Sequence, residues 1–276
     1  MDHLPDFTQH RSDYAEAAVL RVRGGALEAS TQTDRVAEET PIALEYNGIS
    51  HATMLASPSD LEDYALGFSL TEGIIDRPSD LRGIDIVPQH NGIVVQLEIS
   101  SACEARLKAR RRAMAGRTGC GLCGVETLPE VLRQVAAVPD ATPISLPAIL
   151  HAMRAMRARQ TLHDMTGATH GAAWANASGQ VQVVREDVGR HNALDKLIGA
   201  LTRRDEALQN GLVLVSSRAS FEMVQKCAAA GIGILAAVSA PTALAIRLAQ
   251  NTNVALLGFV RHADATIYSH AERIQS

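Results

Sequence analysis

The chain has 276 residues, 46% of them hydrophobic and 20% charged, with a formal net charge of −4. That length suits one large domain or two modest ones with ample core, and the acidic balance argues against general nucleic-acid binding, which needs an excess of Lys and Arg. Four cysteines in a chain this size do not suggest a secreted disulfide scaffold, so reactive or structural thiols in a reducing compartment are expected.

Residues 1–35 read as a loosely ordered lead-in with one strand in AAVLRVRGG, and MDHLPDFTQHRSDYAEAA has no apolar signal-peptide core. In PIALEYNGISHATMLAS, extended apolar segments flank Asn47-Gly48, a two-residue hairpin signal. SPSDLEDYALGFSLTEGII follows as a helix: Ser57 or Ser59 is the expected cap, acids fill the first turn, and Leu61, Tyr64, Ala65 and Phe68 share a face. A second hairpin is expected around Asn91-Gly92 in IDIVPQHNGIVVQLEIS. Residues 36–127 are therefore predicted to form a smaller α+β domain ending in a Cys-x-x-Cys loop. A connector over 128–147 follows, marked by Pro129, Pro139, Pro143 and Pro147.

From 148 to 276 the rhythm changes. GAAWANASGQVQVVR reads as two strands around a polar turn, and three apolar strands follow at 212–216, 234–238 and 254–259. The helical stretches NALDKLIGAL, FEMVQKCAAAG and TALAIRLAQ precede these three in turn. Strands alternating with helices predict an α/β domain with a mostly parallel sheet covered on both faces. No charge falls between Cys227 and Ile246, but Gly231, Gly233, Ser239, Pro241 and Thr242 interrupt the run. It reads as helix end, buried strand and turn rather than a membrane span. A soluble, cytoplasmic protein is expected.

In such a sheet ligands collect outside the carboxyl ends of the strands, near helix N-termini. The loops expected there are EDVGRHN, SSRAS, SAPT and GFVRHAD. Ser220 and Thr242, each taken alone, are best explained as helix caps. Arg190, Arg218 and Arg261 arriving at one rim predict an anion site. Ser239 and Thr242 would add hydroxyls, and His170 and His191 would orient a ligand, move protons or steady a loop.

Cys120 and Cys123 lie in GRTGCGLCGVE, just after the basic run RLKARRRAMAGR. A closed zinc site needs two more ligands, yet Cys103 and Cys227 are isolated. The deaminase pattern H-x-E with P-C-x-x-C is missing, and Gly119 stands where its proline would be. A thioredoxin-like dithiol wants its pair after an early strand of a small βαβ domain, not near mid-chain. A nucleophilic or carrier thiol needs nearby cations and access, which the six basic residues from Arg106 to Arg117 and the surrounding glycines provide. Cys227, on an apolar helix, and Cys103 read as buried filler.

The segments DLEDYALGFSLTEGII, CGLCG, TGATHGAAW, EDVGRHNALDKLIG, SSRASFEMVQKCAAAGI, SAPTALAIRLA and LLGFVR run in fixed order from about residue 40 to about residue 268. On them the chain resembles the formate dehydrogenase accessory sulfurtransferase family of FdhD-type sulfur carriers. The resemblance implies a cytidine-deaminase-like three-layer α/β/α C-terminal domain without the deaminase zinc signature. It implies a cytoplasmic homodimer that takes persulfide sulfur from a cysteine desulfurase. That sulfur goes to the molybdenum cofactor, in its bis(molybdopterin guanine dinucleotide) form, before insertion into formate dehydrogenase. The persulfide would form on Cys120, with Cys123 assisting or resolving it. The cofactor would meet Phe259, Val260, Arg261, His262, Ala263 and Asp264. Two other readings stay open: a cofactor-delivery chaperone with structural cysteines, and a zinc hydrolase or deaminase remnant.

Overall fold

The computed structural model describes residues 12–115, 135–140, 142–204 and 208–276, apart from the side chains of 111–115. Strands β1 (Tyr14–Val19) and β4 (Gln32–Ala37) pair antiparallel, and between them β2 (Val22–Arg23) and β3 (Ala26–Leu27) form a short hairpin. The stretch expected to be a loosely ordered lead-in is thus a ribbon from residue 14 onward. Leu20, Val22, Leu27 and Val36 are exposed on it, so its apolar residues mark no buried face that a periodicity argument could find.

β5 (Thr40–Tyr46) and β6 (Ile49–Ala56) form the first predicted hairpin, with Asn47 and Gly48 at φ 46° and 75°. Two successive left-handed residues match the right-handed twist of the strands, which explains the Asn-Gly pair. Thr40, Ile42, Leu44 and Tyr46 alternate inward and are fully buried. Helix α1 (Leu61–Thr71) crosses back, and the second hairpin, β7 (Leu81–Gln89) with β8 (Gly92–Ile99), completes a four-stranded sheet ordered β6-β5-β8-β7. β5 and β8 run parallel, as the helical crossover requires. Gly92 sits where a Cβ would lie 2.4 Å from the Pro41 carbonyl oxygen. α2 (Ser101–Ala115) follows, with Cys103 and Leu107 turned into this first core.

The second sheet is ordered β11-β10-β12-β13-β14-β15. Its members are β10 (His170–Asn176), β11 (Val181–Asp187), β12 (Gly211–Val215), β13 (Ile234–Ala237), β14 (Ala255–Arg261) and β15 (Asp264–Ser269). The central pairings β12·β13 and β13·β14 are parallel, and the flanking ones antiparallel. The sheet expected to be mostly parallel is thus mixed: two of its five pairings are parallel, and β10·β12 is antiparallel although the helix Arg190–Arg203 lies between those strands in the chain, because β11 first returns alongside β10. Helices α3 (Leu146–Arg157) and α4 (Thr161–Thr166) precede β10, and α5 (Arg190–Arg203), α6 (Phe221–Ala229) and α7 (Ala243–Asn251) follow β11, β12 and β13. Alternate residues divide the packing: Leu212 and Leu214 join α3's Ile149 and Met156, while Val213 and Val215 join α5's Leu194 and α6's Met223. The result is a three-layer α/β/α sandwich. Two-residue strands β9 (Ile144–Ser145) and β16 (Ile274–Gln275) pair at its margin.

Ser57 and Ser59 do not cap α1; Asp60 holds the cap position in a left-handed conformation. Ser57 serves instead in a buried junction between the two halves. Its N–H donates to Asp187 Oδ2 (3.0 Å), its hydroxyl accepts from the Val188 N–H (3.2 Å), and its carbonyl accepts from Lys196 Nζ (2.9 Å). Lys196 Nζ also pairs with Asp187 Oδ2 at 2.7 Å, both side chains fully buried. In a second buried cluster Lys226 Nζ reaches Glu72 Oε1 (2.8 Å), Asp195 Oδ2 (2.9 Å) and the Thr71 hydroxyl (3.0 Å). Burial alone would lower the Lys226 ammonium; Asp195 and Glu72 outweigh it and hold the group above its ordinary value, so it stays charged.

Candidate functional site

On the face covered by α3, the carboxyl ends of β12, β13 and β14 open into a cavity of about 600 Å³. This is where a parallel core places its ligands, and the volume is ordinary for a small-molecule site. Met153, Met156, Val238 and Val260 give it apolar walls; Arg154, Arg157, Arg261 and three histidines, His163, His170 and His262, ring it. Among the described residues that line it there is no Asp or Glu.

Local sequence explains the arrangement. Ser145 caps α3 by accepting from the Ala148 N–H at 3.3 Å, and Pro147 sits in the first turn, where its missing N–H costs nothing. Met153 and Met156, three apart, turn inward, while Arg154 and Arg157 fall at the helix's C-terminal end, where the dipole favours cations. Arg154 Nη1 donates to the His262 carbonyl (3.2 Å), tying the helix to the loop after β14.

Glu186 on β11 accepts from the Leu162 and His163 N–H groups (2.9 and 2.8 Å) and from the Thr169 hydroxyl (3.1 Å), pinning α4 to the sheet. The Nδ1 of His163 lies 2.8 Å from the Thr169 carbonyl oxygen. A carbonyl only accepts, so Nδ1 carries a proton and donates to it. His170 is held below the ordinary imidazole value, first by burial and then by the Arg190 charge, with His163 and His191 adding. It is neutral near pH 7.

The end of β14 and the turn after it are strained. Phe259 and His262 adopt φ of 53° and 57°, and the pairing with β15 slips between Gly258 and Arg261. Such a bulge re-aims side chains and is common beside sites. Here it buries Val260 fully and leaves Phe259 exposed, with the Arg261 guanidinium 5.6 Å from its ring centre.

Of the residues expected to meet a ligand, the cavity gathers His170, Val260, Arg261 and His262. Phe259, Ala263 and Asp264 flank it, exposed, without lining it. Arg190 and His191 lie at the N-terminus of α5, where His191 Nδ1 contacts Glu222 Oε2 (2.9 Å) in the first turn of α6. Arg190 Nε, His191 Nε2 and Ser220 Oγ are buried there without hydrogen-bond partners among the described residues. Ser220 occupies α6's cap position without making the side-chain bond, whereas Thr242 does cap α7 through the Ala245 N–H (3.2 Å). Ser239 is exposed and its carbonyl accepts from the Phe259 N–H (3.3 Å); Arg218 is exposed on the loop after β12. The expected single rim of Arg190, Arg218 and Arg261 is thus spread over several loops, and only Arg261 lines the cavity.

Cys120 and Cys123 lie outside the described residues. Cys103 and Cys227 are buried, as expected, and burial pushes the Cys227 thiol well above its ordinary value. Among the described residues, Asp76, Asp80 and Cys103 form one grouping able to hold a metal. Arg106 occupies it, with Nη2 3.2 Å from Cys103 Sγ and 2.8 Å from Asp76 Oδ2. Sequence reasoning did not single out Gln160, His163, Arg154 or Arg157. The signal available was the pairing of two methionines and two arginines at the same three-residue spacing in HAMRAMRARQ.

Residues 37–275 match the sequence model of the FdhD/NarQ family. The chain belongs to that family. It is 78% identical over 275 residues to the Sulfur carrier protein FdhD of Bordetella petrii, covering 100% of this chain and 99% of that one. With the protein of the same name from Cupriavidus necator the identity is 57% over 258 residues, covering 94% and 89%. The fold is similar to the crystal structure of a candidate formate dehydrogenase accessory protein from Desulfotalea psychrophila. The TM-score is 0.76 at 25% identity, over 95% of this chain and 100% of that one. Within the family's EDVGRHNALDKLIG stretch, Asp187, Asn192, Asp195 and Lys196 are buried in the junction between the halves. Arg190 and His191 of the same stretch are half-buried at the N-terminus of α5.

Proposed function

We propose that this protein is a sulfur carrier in formate dehydrogenase maturation. It accepts sulfur from a cysteine desulfurase as a persulfide on Cys120 and passes it to the molybdenum cofactor in its bis(molybdopterin guanine dinucleotide) form. The cofactor is the substrate of this transfer. The observation that carries the reading is the cavity itself: apolar walls that suit a flat ring, a rim of Arg154, Arg157 and Arg261, and no carboxylate among the described residues that line it, the nearest to the rim being Asp164, paired with Arg157 Nη1 at 2.5 Å. That combination favours a heterocycle bearing phosphates, with guanidinium groups giving paired hydrogen bonds to phosphate oxygens.

In the loading step the Cys120 thiolate attacks the outer sulfur of the desulfurase's persulfide. A new S–S bond forms on Cys120 and the desulfurase's cysteine leaves as a thiolate. The basic run before the pair favours the thiolate form of Cys120. In the delivery step the Cys123 thiolate attacks the inner sulfur of the Cys120 persulfide: the bond to the outer sulfur breaks, that sulfur leaves at the sulfide level for the bound cofactor, and the Cys120–Cys123 disulfide left behind is reduced by a dithiol. The partners are a cysteine desulfurase and a formate dehydrogenase, with the carrier acting as a homodimer.

The test is intact-protein mass spectrometry after incubation with an active cysteine desulfurase and cysteine, comparing wild type, Cys120→Ala and Cys123→Ala. Loss of the added sulfur in Cys120→Ala specifically is the expected result. Equal loading of all three proteins would remove Cys120 from its role, and activation of formate dehydrogenase by Cys120→Ala would favour a delivery chaperone.

A further inference from the structure

Outside the cavity, the charge of α2 is the feature that local structure explains least. Residues 106–117 hold six of the chain's 26 Lys and Arg and none of its 30 Asp and Glu, in a chain of net charge −4. Part of that charge is answered locally: Lys108 pairs with Glu104 one turn back, and Arg106 Nη2 with Asp76 Oδ2 at 2.8 Å. Further along, the helix sequence offers no acid. No Asp or Glu stands three or four positions from Arg110, Arg111 or Arg112, whereas Lys108 stands that far from both Arg111 and Arg112, and Arg106 from Arg110. Like charges at that spacing weaken a helix. The helix dipole favours cations in the last turn alone, and Lys108, Arg110 and Arg111 precede it. Ala115, the last residue of α2, stands five positions before Cys120.

The fold sets α2 apart from the cavity. Cys103 and Leu107 turn into the first core, and Arg110 Nη1 donates to the Glu72 carbonyl (3.4 Å) at the end of α1. Glu72 in turn meets Lys226 of α6, a helix on the opposite face of the second sheet from α3. None of the described residues of α2 lines the cavity, so a phosphate-bearing ligand there does not account for these cations. Outward, α2 exposes Ala105, Arg106, Lys108 and Ala109. We propose that this face of α2 is the docking surface for the protein that loads Cys120, and that the surface it meets is acidic. This rests on the sulfur-carrier reading above and deepens it. Loading forms an S–S bond of about 2 Å between two proteins, so the donor must be held and oriented against the carrier. A basic helix leading to the acceptor thiol steers an acidic donor and suppresses wrong partners. The acidic balance of the whole chain disfavours a nucleic acid as the occupant.

The test is the initial rate of sulfur loading of the full chain by an active cysteine desulfurase, read by intact-protein mass spectrometry. Ionic strength is varied from about 0.02 M to about 0.5 M, which shortens the Debye length from about 20 Å to about 4 Å. Each rate is normalised to the desulfurase's own turnover with dithiothreitol as acceptor at the same salt. The wild-type rate should fall about tenfold over that range. Lys108→Glu and Arg112→Glu, singly and together, should load about three- to tenfold more slowly at low salt and converge on wild type at high salt; thermal melts confirm that the variants are folded. Iodoacetamide is uncharged, so its rate at Cys120 reads the thiol and not the docking, and it should change far less than the loading rate. A wild-type rate that is flat with salt, or variants that keep the wild-type salt slope, overturns the inference and leaves the carrier. Equal losses of loading and of alkylation overturn it too, because the basic run then acts only through the Cys120 thiolate. A short single-stranded RNA that binds the full chain at about 0.15 M salt and blocks loading gives the face to nucleic acid and overturns the protein assignment. A wild-type chain that takes up no sulfur at any salt overturns the carrier reading and this inference with it.

Discussion

Gly67 of α1 and Gly199 of α5 hold the two halves of the molecule in backbone contact. A Cβ on Gly67 would lie 1.8 Å from the Asp195 carbonyl oxygen, and one on Gly199 would lie 1.9 Å from that of Asp63. Neither glycine has a left-handed φ, so the requirement is space and not backbone freedom. Alanine would normally favour a helix interior by up to about 1 kcal/mol over glycine. Here the clash is with rigid backbone, and the sign reverses. Gly199→Ala should destabilise the protein by about 3 kcal/mol or more, at or above the upper end of ordinary overpacking. A denaturant midpoint equal to or above wild type would show that the helices separate at little cost.

Beneath that crossing, Lys196 and Asp187 form a fully buried ion pair. Asp187 also accepts from the N–H groups of Ser57 and Gly189 and from Asn192 Nδ2. Removing one charge strands the other, which costs about 3–5 kcal/mol for buried pairs. Lys196→Met should therefore unfold cooperatively at a much lower denaturant concentration. Asp187→Asn combined with Lys196→Met should recover part of the loss, because no net charge is left buried. A double variant no better than the worse single variant would mean that the remaining hydrogen bonds of Asp187, not the charge, hold the junction.

How much of this was legible follows from the range of each interaction. The Asn47-Gly48 hairpin, the strand–helix alternation and the Thr242 cap depend on residues a few positions apart, and the sequence pattern locates them; the second hairpin forms as well, but its loop is His90-Asn91, one residue earlier than Asn91-Gly92, with Gly92 already in β8. The junction is not local: Lys196 meets Ser57 across 139 positions and Lys226 meets Glu72 across 154. Polar residues in a motif read as site residues until partners that distant come together. α1 shows the same limit from the other side. Its expected single apolar face understates its burial, since Leu61, Asp63, Tyr64 through Ser69 and Thr71 are all buried between the first sheet and α5. The cavity was half legible. The segment after β14 was expected to meet a ligand, but Arg154, Arg157 and Gln160 lie on a basic stretch that in isolation reads as a solvated helix face.

The four cysteines should divide cleanly under a thiol reagent. Cys103 is 1% exposed and Cys227 fully buried, and burial raises the Cys227 thiol so that little thiolate forms near pH 8. In the folded protein both should resist N-ethylmaleimide over a period in which denatured protein labels at all four positions. Peptide mapping after the reaction reads the outcome. Rapid labelling of Cys227 in the native state would mean that α6 opens far more often than its packing implies, and it would make Cys227 a competing acceptor in any sulfur-loading experiment.

His170 gives the stability a direction with pH. Its folded value lies below the ordinary 6.5, by burial first and then by Arg190, His163 and His191. As pH falls below about 6.5 the unfolded chain takes up the proton while folded His170 still resists it, so the unfolded state gains. The stabilising contribution is therefore complete above 6.5 and is lost as pH drops through the depressed folded value. His170→Asn carries no such proton and should lose less stability than wild type between pH 7.5 and 5.5, measured as the shift in denaturant midpoint. The comparison must be made without ligand, because a phosphate bound beside His170 would favour the imidazolium and oppose the trend. Parallel losses in the two proteins would place the acid sensitivity elsewhere, with Glu222 the next group to examine, since its carboxyl is held low by the hydrogen bond to His191.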